Sequence, residues 1–222
     1  MPAANIIQLR QLLREKFPGL RGQNPAAAVS SRAVWPTGLA QLDDLLQGGL
    51  PKGALTELIC AQPGAGSALL IRSLLERASN DGRLAALIDG ADSFDVTQVN
   101  KHALSRLLWV RCRSAGEALK AGDLILRDGN LPFVMLDLVI NSKAQLKKVP
   151  ATTWYRLQRI LEQTSTVCAV FTPWPMVSPA QARISLDSRF SLTALERNSD
   201  ELLRELAVSA ARHLRETNQN FA

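Results

Sequence analysis

Cysteine, histidine and tyrosine are scarce in this 222-residue chain, at three, two and one. Cys60, Cys112 and Cys168 lie far apart, never as C-x-x-C, and sit in or beside apolar runs. That excludes a disulfide framework or cysteine metal site and fits buried thiols in a reducing compartment. Two distant histidines give a His-rich metal centre little to work with. Aromatics are 5% of the chain, and there is no RGG tract, zinc-finger spacing or aromatic RNP signature. No apolar run approaches the ~20 residues of a membrane span. Met1 to Arg10 lacks an h-region with a cleavage site, so a cytoplasmic location is expected. Neither a metal nor a cofactor is expected.

What is present is a globular balance: 46% apolar, 21% charged and a net charge of +6. The length suits one domain with appendages or two very small ones. Charge is uneven. Residues 1–32 carry five bases and one acid, 33–100 four and eight, and 101–150 nine and four. Such segregation fits either ordinary solvated faces or a basic surface near nucleic acid or an acidic partner.

Ile6, Leu9, Leu13 and Phe17 recur at helical spacing, predicting a short amphipathic helix ended by Pro18-Gly19. Residues 22–31 read as a linker, so residues 1–32 form an N-terminal helix and linker, 33–195 a core and 196–222 a C-terminal helix and tail. Leu39, Leu42, Leu45 and Leu46 form a second stripe, closed by Gly48-Gly49. Strand-length apolar runs follow at Ala54–Cys60, Leu84–Ile88, Leu107–Val110, Phe133–Leu136 and Val167–Phe171. They alternate with helical stretches near Ser67–Ala78, Thr97–Ser105, Ser114–Asp128 and Thr152–Gln163. Runs apolar at nearly every position suit strands covered on both faces. The fold class is α/β, a mostly parallel central sheet flanked by helices. Ile184, Leu186, Phe190 and Leu192 suggest an antiparallel edge hairpin, and Leu203, Leu206, Ala210 and Leu214 a terminal amphipathic helix.

After the first core strand comes Ala61-Gln62-Pro63-Gly64-Ala65-Gly66-Ser67-Ala68. Strand, Gly-rich turn and helix is the geometry of a phosphate loop, whose backbone N–H groups converge at a helix N-terminus. In G-x-x-x-x-G-K-[ST] a Lys adds positive charge and a hydroxyl holds Mg²⁺. Here Ala61 replaces the first Gly, Gly66 keeps the second, Ser67 replaces Lys and Ala68 replaces the hydroxyl residue. Backbone concavity can survive; neutralisation of a triphosphate does not. The turn reads either as a plain tight turn or as a degenerate nucleotide site of Gly64, Ala65, Gly66, Ser67 and Asp137.

Thr37-Gly38-Leu39, Leu42-Asp43, Gly48-Gly49-Leu50-Pro51-Lys52-Gly53 and Leu55-Thr56-Glu57-Leu58 lead into that loop. Together they resemble the entry to the ATPase core of RecA and its relative RadA. Leu84 to Asp95 resembles the second core strand of RecA and its turn, and Asp137 matches the Walker B aspartate position. The resemblance covers roughly residues 35–192 and implies a RecA-like P-loop fold. It puts Ala91 where RecA has its water-activating glutamate, with Asp92 one place late. The Lys, the hydroxyl and the acid are thus missing together, and phosphoryl transfer depends on such groups acting as a unit. Asp137 is either a relic of metal binding or a strand-end hydrogen-bonding group. The resemblance places Val139 to Pro150 and Pro173 to Pro179 at the loops with which RecA holds single-stranded DNA. Lys143, Lys147 and Lys148 either meet phosphates or belong to a solvated loop.

A catalytically silent core of this size behind a basic N-terminal helix resembles the ImuA family and, more distantly, SulA. Leu126 to Leu138 and Cys168 to Pro173 carry the likeness to both. The resemblance implies a non-enzymatic accessory of the DNA-damage response and mutagenic translesion synthesis. Its expected partners are RecA and ImuB-like or error-prone polymerase subunits. Ile6, Leu9, Leu13 and Phe17 would dock on such a partner or fold back on the core. Two alternatives stand: a divergent ATPase using Ser67, Asp92 and a Lys from elsewhere, such as Lys52 or a neighbouring subunit's Lys, and a SulA-like inhibitor of FtsZ. Asp89, Asp92 and Asp95 serve either a cation or turn and helix capping.

Overall fold

The computed structural model describes residues 2–16, 33–62 and 64–212. Phe17, the linker and, at the end of the expected terminal helix, Leu214 lie outside them. Nine strands, β1 (Val34–Trp35), β2 (Leu50–Pro51), β3 (Ala54–Ile59), β4 (Ala85–Asp89), β5 (Leu107–Arg111), β6 (Phe133–Asp137), β7 (Val167–Thr172), β8 (Ala182–Leu186) and β9 (Val208–Arg212), are described. So are eight helices: α1 (Pro2–Lys16), α2 (Ala40–Leu45), α3 (Ser67–Asn80), α4 (Lys101–Leu104), α5 (Ala115–Asp128), α6 (Lys143–Leu146), α7 (Ala151–Leu161) and α8 (Ser199–Arg204).

Seven strands form one sheet in the order β5-β4-β6-β7-β3-β8-β9, parallel up to the β8–β9 pair, which is antiparallel. Alternation within strands divides the interior in two. Ala85 and Leu87 join the core under α2 and α3, whereas Ala86 and Ile88 join the one under α5 and α7. Both faces are covered, so β3, β4 and β7 are buried at every position, which explains why they are apolar at most positions. Ser114 caps α5 through its hydroxyl, and Gly129 ends that helix in the left-handed conformation.

β1 and β2 form a small antiparallel pair ahead of the core. Gly49 makes it possible: its φ is +135°, and a Cβ there would lie 2.2 Å from the Trp35 carbonyl oxygen.

Three details differ from the sequence expectation. Ile184 and Leu186 lie in β8, which runs parallel to β3; Phe190 and Leu192 lie outside any strand, Leu192 opening a 3₁₀ turn. The antiparallel partner of β8 is β9, in the segment expected to be a terminal helix. Helical structure there stops at Arg204, because the open edge of β8 offers Ala207–Arg212 a row of backbone partners that outweighs local helical spacing. Residues 97–105 divide into a 3₁₀ turn at Val96–Gln98, capped by Asp95, and the four-residue α4.

Candidate functional site

The loop after β3 and the carboxyl ends of β4 and β6 meet on one side of the sheet, where parallel α/β folds place their ligands. Gly64 and Gly66 have φ of +75° and +100°, and α3 begins at Ser67 with no side-chain cap. The turn is folded inward. Ala65 is 1% exposed and belongs to the same core cluster as Leu70. A Cβ on Gly66 would lie 2.3 Å from Leu206 Cδ1 and 3.6 Å from Phe190. The chain's own β8–β9 region therefore lies against this turn. Ala68 is exposed and Ser67 part-buried, and neither carries charge. The nearest cation along α3, Arg72, donates to Glu76 at 3.2 Å and Asp200 at 3.1 Å.

Asp137 ends β6. Its Oδ1 accepts from the Val139 N–H at 3.0 Å. Its residual surface faces a cavity, yet burial raises its carboxyl from 3.8 to about 6; the Val139 bond opposes the shift and the Asp89 charge adds to it. Cys60 is pushed up to about 12, first by burial and then by Asp137, against a lowering hydrogen bond from Ser67. A thiol so protonated is no nucleophile at neutral pH. Asp89 is a turn organiser, accepting from the N–H groups of Ser93 and Phe94, both at 2.9 Å. Asp92, at φ +54°, pairs with Arg111, which holds its carboxyl below the ordinary range. That pair is not part of the cavity lining, which contains Ser67 and Asp137. Asp95 lines the cavity and accepts from Thr97. Among the described residues no group of three or more His, Cys, Asp or Glu side chains is placed to hold a metal ion.

Glu57 organises the neighbouring loop, a role the sequence reading did not assign. It is fully buried in β3. It accepts from Thr172 Oγ1 at 3.0 Å, from the Met176 and Val177 N–H groups at 2.6 and 3.0 Å, and from Arg183 Nε at 2.5 Å. Arg183 also donates to the Val177 carbonyl. The loop after β7, which carries Trp174 and Met176, is thus clamped onto β3 and β8. An acid inside an otherwise apolar strand was the visible signal.

Lys143, Lys147 and Lys148 are exposed on and after α6, and none is in an ion pair among the described residues. Gln145 accepts from the Ala115 N–H, tying α6 to the start of α5. α1 lies on α5: Leu13 is 2% exposed, Leu9 packs on the core, and Arg10 pairs with buried Asp128 at 2.8 Å. Among the described side chains of α1, Ile7 and Leu12 are exposed large apolar residues, and the Ile6 side chain lies outside the described ones.

No protein-family model matches the chain. It is 32% identical over 126 residues to RecA of Methylococcus capsulatus and 31% over 116 residues to RecA of Chlorobaculum tepidum. These matches cover 54% and 51% of this chain and 36% and 33% of those proteins. The chain thus spans about a third of the length of the curated relatives it matches. The crystal structure of the RadB recombinase superposes with a TM-score of 0.53 at 16% identity, over 67% of this chain and 81% of that one. The homology and the fold are RecA-like. No helix among the described residues is long and apolar enough to cross a membrane.

Proposed function

We propose that this chain is a non-hydrolysing RecA-like accessory protein of the DNA-damage response, acting by contact, of the kind found in the ImuA family. The carrying observation is the state of the phosphate site. Ser67 and Ala68 stand where charge and a metal-binding hydroxyl belong, Ala65 is drawn into the core, and Asp137 faces a space with no unpaired cation among the described residues. Positioned charge supplies most of the catalysis in phosphoryl transfer, and here its parts are missing together. The partners proposed are RecA and error-prone polymerase subunits, with single-stranded DNA as a further contact.

A divergent ATPase would need a lysine from elsewhere. Lys52 bridges to Val167, the first residue of β7, and so lies at the opposite end of the strands from Ser67. Asp92 is engaged with Arg111. A SulA-like action on FtsZ would appear as inhibition of FtsZ GTPase activity. The primary test is calorimetric titration with a non-hydrolysable ATP analogue and Mg²⁺, beside a turnover assay. The expected result is no turnover. Stoichiometric turnover that disappears in Asp137→Ala would overturn the proposal. Co-purification with RecA, before and after deletion of residues 1–21, tests the partner and the role of α1.

A further inference from the structure

Resting on the non-hydrolysing reading above, we propose that the cavity beside the loop receives an arginine side chain of a partner protein. The cavity has a volume of about 350 Å³. Its charged lining consists of Asp95, Asp137 and Arg72. Arg72 is already shared between Glu76 and Asp200. The carboxylates have acceptor capacity left: among the described residues, Oδ2 of Asp137 and Oδ2 of Asp95 accept no hydrogen bond. Among the described residues, an entering phosphate would meet two carboxylates and no unpaired cation. The N-terminus of α3 opposes a cation with about half a charge, which two full carboxylates outweigh.

A guanidinium suits the remaining geometry. It is planar, carries five donors and is less strongly hydrated than an ammonium, so it enters a partly closed site at lower cost. Its apolar stem would lie along Phe94 and Val139, which line the cavity. The rim indicates that the guanidinium belongs to a polypeptide. Ile140, at the mouth, is 62% exposed, and a free small cation would leave it uncovered. An apolar residue beside the arginine covers it.

The test is an NMR titration of the full chain with acetyl-Leu-Arg-Leu-amide, acetyl-Leu-norleucine-Leu-amide and free argininamide, beside the Mg²⁺–ATP turnover assay. The arginine peptide is expected to shift the Ser67, Phe94 and Ile140 resonances saturably, about ten-fold more tightly than either other probe. Asp137→Asn, which keeps the acceptor for Val139, and Asp95→Asn should each weaken it several-fold. Ile140→Ser should reduce the peptide to the level of argininamide. Equal binding of the norleucine peptide would overturn the charge argument, and equal binding of argininamide would overturn the polypeptide partner. Absent peptide binding with turnover also absent sinks this inference alone; ATP turnover sinks the functional reading beneath it.

Discussion

Asp137 is the residue whose environment is most at odds with its chemistry. Its folded carboxyl, raised from 3.8 to about 6, binds a proton more tightly than in the unfolded chain. The folded form is therefore favoured at low pH, and this group's effect turns against folding as pH rises from about 4 to 6. The expected cost above pH 6 is of the order of 1–3 kcal/mol. Asp137→Asn retains the Val139 bond and should be more stable than the parent at pH 7.5, with the difference shrinking as pH falls to 4.5. Urea denaturation at pH 4.5 and 7.5 checks it; parallel pH profiles would refute it. Glu57 is buried too, but Arg183 pairs with it. Glu57→Ala leaves Arg183 in a site where it is 15% exposed and releases the loop after β7, so a loss of roughly 3–5 kcal/mol is expected by the same denaturation. That neither Ser67 nor Ala68 carries a charge was legible directly from the sequence. Arg183 as the partner of Glu57 was not, because 126 positions separate them and only the parallel β3–β8 pairing joins them.

At the scale of elements, the buried parallel strands were the most legible, because cover on both faces forces apolar residues at every position. The end of the chain was the least. Leu203, Leu206 and Ala210 match a helical face, yet Ala210 pairs with Ile184 across β8–β9 and Leu206 reaches Gly66. Local spacing carries no information about an unpaired strand edge elsewhere in the chain, and that edge decided the outcome. The contact makes a testable coupling. Gly66→Ala incurs strain from φ +100° and a clash with Leu206 Cδ1. Leu206→Ala removes the clash and leaves the strain. The double variant should therefore be less destabilised than the sum of the singles, by roughly 0.5–1.5 kcal/mol in a denaturation cycle. Strict additivity would show that Leu206 does not press on the loop. α1 offers a second element-level case. Arg10→Ala removes the ion-pair partner of Asp128, whose side chain is 1% exposed, and leaves it only the Asn130 amide. A loss of about 1–2 kcal/mol is expected, discounted because Arg10 is half exposed.

For the whole molecule, topology turns a diffuse charge excess into a located one. The sequence shows nine bases against four acids in residues 101–150, but not where they gather. In a parallel sheet every strand points the same way, so the segments following β5 and β6 emerge at one end. Arg113 and the three lysines of residues 143–148 therefore share that end, and the Gln145–Ala115 bond holds α6 beside α5. Arg111 at the same end is engaged with Asp92, which leaves the lysines and Arg113 as exposed charge without an ion-pair partner among the described residues. Should the lysines meet the backbone of single-stranded DNA, three neutralised phosphates contribute a slope of about −2 to log affinity against log salt. Fluorescence anisotropy of a labelled oligothymidylate, measured from low to physiological salt, is expected to show at least that slope. The Lys143→Ala/Lys147→Ala/Lys148→Ala variant should lose about two units of it while keeping its thermal unfolding temperature, since none of the three side chains is buried. An unchanged slope would place the nucleic-acid contact elsewhere, and absent binding by the parent would make this a solvated face and leave protein contact as the sole mode of action.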